Sequence, residues 1–281
     1  MPTSNDNSSA VQQLQALLSQ RFGDAPATSE GIPGAEALAR MAVHRTHRAF
    51  LDKPVEPELL RLVCSVAQSA PSKSDLQQRD IVIVRDKALR QKLDALMPDM
   101  EWLPKAPALL VVCGNNRRQR QVHEWRKRPF ANDHLDPFFN AATDAAIVLG
   151  WLVLAAEAAG LGCCPLSVIR NRAQAASDLL GLPDHVFPYV GLALGWPKGE
   201  GYLTPRLPLA ATLHTDRFDD TRIRDLVGDY DKRRPYRTQR HEAEYGTDPN
   251  YGWSEDKARH YSKPERADFG AFVRKKGFKL D

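Results

Sequence analysis

Apolar residues recur along the chain with two spacings, and each spacing predicts a different secondary structure. Short apolar runs bounded by polar or turn residues predict buried strands in DIVIVRD, PALLVVCGN and PYVGLALGW, at residues 80–86, 107–115 and 188–196. CCPLSVI at 163–169 is a weaker fourth strand. The helical spacing predicts helices over 11–22, 35–43, 57–70 and 86–96 and a last helix whose inward face carries Phe269, Phe272 and Val273. In the first helix, one apolar stripe consists of Val11, Leu14, Leu17, Leu18 and Phe22. Residues 1–10 lack both patterns, and we expect them to be disordered.

A long apolar segment, AATDAAIVLGWLVLAAEAAGLG, begins at Ala141. Its uninterrupted apolar run covers only 145–156, which is too short to span a bilayer, so no membrane partner is expected. A helix that is apolar on nearly every side packs against neighbours all round, in a large core or at a subunit interface. We therefore predict a helix that supports the centre of the sheet.

Helices that alternate with buried strands predict a mixed α/β sheet that is covered on both faces by helices. The composition along the chain predicts three parts. Residues 1–33 form an N-terminal extension with one helix, 34–216 form the core, and 217–281 form a charged and aromatic arm. Because the arm is poor in aliphatic residues, we expect it to wrap the core or a partner subunit instead of building a core of its own.

Composition and charge narrow the functional classes. The 281 residues carry a formal charge of +4, which is small for a nucleic-acid binder of this length. Basic runs at 117–121 and 232–240 are the only motive for a nucleic-acid partner, and their acidic neighbours favour a solvated surface. The first ten residues lack a secretory pattern, and the four cysteines lack C-x-x-C spacing. A reducing, cytoplasmic location is expected.

The motif HRTHRAF at 44–50 crowds basic side chains that repel one another, which suggests an anionic ligand. Arginine offers a planar fork of donors suited to phosphate oxygens, and a neighbouring hydroxyl adds a neutral donor. A second arginine, Arg206, lies between Pro205 and Pro208, so its backbone is stiff. The isolated motif alone favours a solvated basic turn, whereas the two segments together predict a phosphate site.

Two further loops carry candidate chemistry. APSKSDLQ at 70–77 has hydroxyl, carboxylate and amide groups that suit the edge of a heterocycle, although it also fits a helix end that satisfies its own backbone. GLGCCPLSVIR at 160–170 lacks the G-x-G-x-x-G spacing, so a Rossmann nucleotide site is not supported. Its alternative interpretation is a helix terminator followed by a strand.

In this order, these segments resemble the nitroreductase superfamily of FMN-dependent flavoproteins, and specifically its larger-subunit branch of oxygen-insensitive nitroreductases and NADPH:flavin oxidoreductases. The matching pieces are HRTHRAF, the DKP-V-P step at 52–57, APSKSDLQ, IVIVRDKALRQKL, the apolar helix, GLGCCPLSVIRN, GLALGWP, TPRLPL and WSEDKARHYSKPERADFGAFVRKKGF. They cover roughly residues 40–278 at consistent spacing, which makes the resemblance more specific than any single motif.

The resemblance implies an α+β fold, a three-layer sandwich in which a mixed central sheet is flanked by helices. It also implies an intertwined homodimer with two FMN molecules at the subunit interface. It implies that the FMN phosphate is held by His44, Arg45, Thr46, Arg48, Thr204 and Arg206. The other subunit would supply Pro71, Ser72, Lys73, Ser74 and Leu76 to the ring and ribityl chain. One face of the isoalloxazine would lie on Pro165 and Leu166, with backbone N–H groups of Ser167 and Val168 near its N5.

Three positions depart from the family pattern. Thr204 stands where the branch often has a lysine, which removes one charge from the phosphate site. Ser167 and Val168 replace a glycine pair and narrow the approach to N5. Met100 takes the place of a glutamine expected at the pyrimidine edge of the flavin, where Asp99 or Glu101 is expected to substitute.

The implied activity is a two-electron, ping-pong transfer. NAD(P)H delivers hydride to N5 and leaves, and a small acceptor such as a nitroaromatic, a quinone or a flavin then takes the electrons. No side chain is assigned as a catalytic acid, base or nucleophile, and Arg237 and Arg240 are candidates for the 2′-phosphate of NADPH. The alternatives are a flavin-dependent dehydrogenase or desaturase of a small cyclic substrate, and a flavin-binding protein without catalysis.

Overall fold

The computed structural model describes residues 4–23, 27 and 32–281, and these group into two compact units. The first unit comprises the chain up to His44 together with 202–265, and the second comprises 45–201 together with 266–281. The predicted division at residues 33/34 and 216/217 stays a prediction. Most of the Gly/Pro-rich joint at 23–34 lies outside the described residues.

The strands and helices follow the predicted order. The strands are β1 (Arg79–Val84), β2 (Ala108–Asn115), β3 (Gly162–Leu166) and β4 (Val186–Gly195). The helices are α1 (Ser4–Phe22), α2 (Ala35–Ala42), α3 (Pro57–Gln68), α4 (Lys87–Asp94), α5 (Arg117–Trp125), α6 (Leu135–Ala158), α7 (Ala173–Leu179), α8 (Ile223–Arg233), α9 (Glu242–Tyr245), α10 (Trp253–Tyr261) and α11 (Phe269–Lys275). All four predicted strands are therefore confirmed.

The sheet of the second unit has the strand order β1-β2-β4-β3, and all of its neighbouring strands pair antiparallel. The mixed character that we predicted is limited to one parallel bridge, which joins Thr46 to Cys163. The prediction rested on helices lying between strands. Here α4 returns the chain to the same end of the sheet, since Val84 at the end of β1 pairs with Leu109 at the start of β2. An intervening helix is therefore compatible with antiparallel pairing.

Successive residues of β2 point to opposite faces of the sheet and define the three layers. Leu110 and Val112 join a cluster with residues of α3 and α6 on one face. Leu109 and Val111 join a second cluster with residues of α4 and α7 on the other face. Each fully buried leucine contributes about 2 kcal/mol of hydrophobic stabilisation. The continuous apolar run PALLVV is thus explained by burial on both sides.

Helix α6 supports one face of this sheet, as predicted. Val148, Leu152 and Ala156 are fully buried against it. The helix begins at Leu135, earlier than the apolar run, because His134 caps it by accepting a hydrogen bond from the Asp136 N–H at 3.3 Å. Within the described residues, it is the one helix whose length and composition would suffice to cross a membrane, a test that buried core helices also pass.

The first unit is built mainly from helices. Val11, Leu14 and Leu17 of α1 are buried, which confirms the predicted stripe, and two of them pack with Ala39 of α2 and Leu203. The predicted disorder of residues 1–10 is wrong for residues 4–10, which belong to α1. The run SNDN at the start of α1 is rich in residues that favour helix N-termini, a signal that outweighs the missing apolar period.

The C-terminal arm is divided between the two units. Residues up to Glu265 belong to the first unit, where aromatic and charged side chains such as Tyr230, Tyr251 and Arg259 are buried in place of aliphatic ones. Residues from 266 belong to the second unit, where Phe272 and Val273 of α11 pack against Phe187. The predicted inward face of the last helix is confirmed.

Candidate functional site

The basic motif in the second unit is fixed along β3. Thr46 bridges Cys163, and the His47 N–H donates to the Cys163 carbonyl at 2.9 Å. Further on, Phe50 bridges Pro197 beyond the end of β4. The start of the segment therefore lies beside β3 at Cys163, two residues before Pro165 in the chain. The structure brings together these two predicted parts of the site.

Gly162 has no Cβ atom, and this leaves room for the His47 side chain beside β3. A Cβ atom on Gly162 would stand 2.8 Å from the His47 imidazole carbon Cγ, a contact that side chains do not make. The glycine of GLGCC is therefore required by the close approach of the basic motif. A helix-terminating role is filled instead by Gly160, which adopts a φ of 79° after α6.

Arg45 is the residue whose environment most clearly suits an anion. Its Nε is buried and has no hydrogen-bond partner among the described residues. An unpaired buried donor is costly, and on a charged group the cost is larger still. A phosphate oxygen would supply the missing acceptor, so the residues present fit a phosphate-bearing ligand. Arg48 is exposed, and its positive charge lowers the pKa of the Cys164 thiol against the larger effect of burial.

In the first unit, His44 and Arg206 line one cavity of about 440 Å³. Its other walls come from α1 and α2, namely Leu14, Leu18, Arg21, Phe22, Leu38, Met41 and Ala42. Arg206 is exposed, and its backbone is held by a hydrogen bond from its N–H to the Arg21 carbonyl at 2.7 Å. Tyr230 fixes the preceding residue by donating to the Pro205 carbonyl at 2.8 Å. The predicted stiffness of this loop thus comes from these hydrogen bonds as well as from its prolines.

The loop at 71–78 is organised by a carboxylate that the sequence did not single out. Asp144 of α6 is fully buried and accepts hydrogen bonds from Ser72 Oγ at 3.0 Å, the Lys73 N–H at 2.9 Å and the Gln78 N–H at 2.7 Å. The Arg79 guanidinium lies 3.8 Å from the same carboxylate. The only signal in the sequence was one acidic residue inside an apolar run, which pointed to burial but not to its partners.

The same loop has an unusual backbone. Ser74, Asp75 and Gln77 have φ values of 50°, 55° and 51°, in the left-handed region that costs a non-glycine residue about 1 kcal/mol. Helix α5 holds this conformation, because Gln119 donates to the Leu76 carbonyl at 2.8 Å and Arg118 donates to the Gln77 carbonyl at 2.6 Å. Two residues of the basic run RRQRQ are therefore engaged within the protein.

The two halves of the predicted flavin site lie at opposite edges of the sheet. The loop at 71–78 leads into β1, which is one edge, whereas the basic motif and β3 form the other. Three interstrand spacings separate β1 from β3, or about 14 Å at roughly 4.8 Å each. One chain alone therefore holds these predicted contacts far apart.

The predicted ring-face residues differ in exposure. Pro165 and Ser167 are exposed, whereas the Leu166 side chain is fully buried in the cluster beneath the sheet. Val168 packs partly against the same cluster. Arg266, which the sequence did not single out, donates to the Ser167 carbonyl at 3.4 Å. Pro165 and Ser167 are thus the members of this segment that are free to meet a ligand.

Other predicted contacts are placed as follows. Met100 packs partly buried against the apolar cluster of α4, while Asp99 and Glu101 are exposed beside it. Thr204 lines a second cavity of the first unit, of about 500 Å³. Arg237 is exposed, but Arg240 donates to buried Asp256 at 3.2 Å and is occupied by that ion pair.

The four cysteines are free thiols. Burial raises the pKa of Cys64 to about 11 and, with a contribution from Asp80, the pKa of Cys113 to about 12. Burial also raises the pKa of Cys163 and of Cys164, although Arg48 opposes the rise at Cys164. Because the thiolate is the reactive form, the raised pKa values disfavour a nucleophilic role for these thiols near neutral pH.

Two family models match the sequence over most of its length. The family model named Nitroreductase family matches residues 41–196, and the Nitroreductase family C-terminal domain matches 204–281. The protein named FMN reductase NAD(P)H from Bacillus subtilis is 29% identical over 252 residues, covering 88% of this chain and 99% of that protein. The oxygen-insensitive NADPH nitroreductase of Salmonella typhimurium is 33% identical over 175 residues, covering 62% of this chain and 71% of that protein.

Comparison with solved structures also gives a match to a protein of similar fold. The solved structure of B. megaterium NfrA2 matches with a TM-score of 0.79 and 32% identity, covering 87% of this chain and 98% of that one. Both family models lie on the segments whose motifs carried the resemblance in the sequence. That prediction is confirmed: the chain belongs to the nitroreductase family.

Proposed function

We propose that the protein is an FMN-dependent NAD(P)H oxidoreductase that reduces nitroaromatics, quinones or flavins in the cytoplasm. The observation that carries the proposal is the buried, unpaired Nε of Arg45 in a basic motif fixed beside β3. Membership of the nitroreductase family and similarity to proteins named FMN reductase and NADPH nitroreductase support it. FMN, when bound, supplies the centre that accepts hydride from the nicotinamide and passes electrons on.

The residues of this chain bind and orient the cofactor. Arg45, Thr46 and Arg48 offer donors to the phosphate, and His44 and Arg206 add further positive or polar groups. Pro165 and Ser167 offer an exposed surface for the ring. Thr204 supplies a neutral donor where a lysine would add charge, so phosphate binding depends more heavily on the arginines.

A homodimer would complete this site. The loop at 71–78 and the segment beside β3 occupy opposite edges of the sheet, so a partner's loop would bring Ser72 and Ser74 to the flavin held by the first subunit. Large apolar side chains on α3 and α6 remain exposed in the single chain, namely Leu62, Val66, Phe139 and Trp151. Exposed apolar surface of this kind is typical of subunit contacts.

The dimer is tested by replacing one of these side chains. Wild-type protein is expected to have twice the chain mass of 31.4 kDa in size-exclusion chromatography with light scattering. Leu62→Glu places a charge in the proposed contact and is expected to give monomers that lose FMN. Leu213→Glu, also at an exposed leucine, is the matched control and should stay dimeric. A monomeric wild type that retains FMN would contradict the proposed dimer.

The activity is tested on the purified protein. We expect a yellow protein whose released cofactor has the mass of FMN. Under anaerobic conditions NAD(P)H should bleach the flavin absorbance, and a nitroaromatic or a quinone should restore it. Bleaching without restoration by either acceptor would favour a dehydrogenase or desaturase of a cyclic substrate. No bleaching by NADH or NADPH would favour a flavin-binding protein without catalysis, and a colourless protein that refuses FMN would exclude the proposal.

A further inference from the structure

We infer that Arg21 of the N-terminal helix α1 is a positioning residue for the phosphate of FMN. The inference rests on the proposed function. It assigns a role to the extension that precedes the family match, which begins at residue 41.

The Arg21 guanidinium connects two segments that are distant in the sequence. The side chain is buried, with 6% of its surface exposed. Its Nε donates to the Ala42 carbonyl at 2.7 Å, its Nη1 donates to the Thr204 carbonyl at 2.9 Å, and its Nη2 donates to the His44 carbonyl. Three donors of one rigid fork thus fix the start of the basic motif and the loop that carries Arg206.

The main chain of Arg21 adds a further connection. Its carbonyl accepts the Arg206 N–H at 2.7 Å and Arg233 Nη2 at 3.2 Å. Arg206 is one of the three arginines predicted to face the phosphate. The end of α1 therefore positions the backbone of Arg206 in two ways: the Arg21 carbonyl accepts the Arg206 N–H, and the Arg21 side chain holds the Thr204 carbonyl.

The charge of Arg21 also suits this role. Carbonyl oxygens carry partial negative charge, and those of Ala42, His44 and Thr204 would repel a nearby phosphate if they were left unpaired. Pairing them with a buried cation neutralises them. Arg21 lines the same cavity of the first unit as His44 and Arg206, which are two of the predicted phosphate ligands.

The three acceptors are backbone atoms of the part shared with the family. Ala42 and His44 lie inside the first family match, and Thr204 is the first residue of the second. Arg21 lies outside both. The hydrogen bonds of Arg21 therefore support the predicted phosphate site from a part of the chain that lies outside both family matches.

The test compares FMN with riboflavin, which lacks only the phosphate. Apoprotein of Arg21→Met and Arg21→Lys is titrated with each flavin, and binding is followed by flavin fluorescence. We expect both variants to bind FMN about tenfold more weakly, the loss of roughly one charged hydrogen bond, with riboflavin binding unchanged. Arg21→Lys keeps the charge but has one compact donor group, so it should not rescue the geometry. Arg40→Met, at an exposed arginine paired with Glu36, is the control and should bind FMN like the wild type.

A double-mutant cycle with Arg206→Met adds a measurement that a purely structural residue would not affect. If Arg21 acts by placing Arg206, the two losses in FMN affinity should be clearly less than additive. An equal loss of FMN and riboflavin affinity would overturn the inference and indicate a general structural role, and so would unchanged FMN affinity. If Arg21→Met does not fold, Arg21→Lys carries the same comparison. Wild-type protein that bound no FMN would contradict the proposed function itself, which is a separate result.

Discussion

Asp144→Ala is expected to lower the free energy of unfolding by about 3–5 kcal/mol. The substitution removes a fully buried carboxylate that accepts three hydrogen bonds, and it leaves the Arg79 guanidinium beside an uncharged gap. Urea unfolding followed by circular dichroism measures the loss. Because the same carboxylate fixes the loop at 71–78, any folded variant should also bind FMN more weakly.

A surface aspartate gives the matched control. Asp229 is exposed and pairs with Lys232 at 2.9 Å, so Asp229→Ala should leave the free energy of unfolding nearly unchanged. Asp144→Asn keeps one oxygen acceptor and should fall between the two. A loss below about 1 kcal/mol for Asp144→Ala would show that the loop is held by α5 and its own contacts, contrary to this expectation.

Arg45→Met is expected to weaken FMN binding by roughly ten- to a hundredfold, because hydrogen bonds to charged groups contribute about 1.5–3 kcal/mol each. Riboflavin binding should be unchanged. The stability of the apoprotein should be unchanged or higher, because the substitution removes a buried donor that has no partner. Titration with both flavins and urea unfolding of the apoprotein measure these opposite effects, and the FMN loss should shrink at high salt.

Weaker FMN binding together with unchanged or higher apoprotein stability would distinguish an arginine that binds the ligand from one that stabilises the fold. Arg40→Met again provides the control, since its partner Glu36 is equally exposed. A large drop in apoprotein stability for Arg45→Met would mean that the guanidinium stabilises the fold, contrary to its proposed role as a ligand of the phosphate.

The sequence predicted the elements whose signals are local. Apolar runs bounded by turn residues marked all four strands, and the apolar segment after Ala141 marked α6. The inward positions of α11 followed from the helical spacing of Phe272 and Val273. The direction of strand pairing was not predictable in this way, because a helix between two strands can return the chain to the same end of the sheet, which gives antiparallel pairing, or cross to the other end, which gives parallel pairing.

The residues that position the site loops, Asp144 and Arg21, could not be predicted from the sequence for a different reason. The donors paired with Asp144 lie 66 to 72 residues away, and two of them are backbone N–H groups that any residue type provides. Arg21 donates to three backbone carbonyls, so nothing in the identity of Ala42, His44 or Thr204 reveals the contact. The phosphate motif itself was recognisable because its chemistry lies in its side chains.

The bridge between Thr46 and Cys163 also bears on how the sheet ends, because β3 is an edge strand. The His47 N–H satisfies the outward-facing Cys163 carbonyl at 2.9 Å. An unpaired peptide group on an edge strand is a point at which another chain can add a strand. At Cys163 the anion-binding motif occupies that point itself.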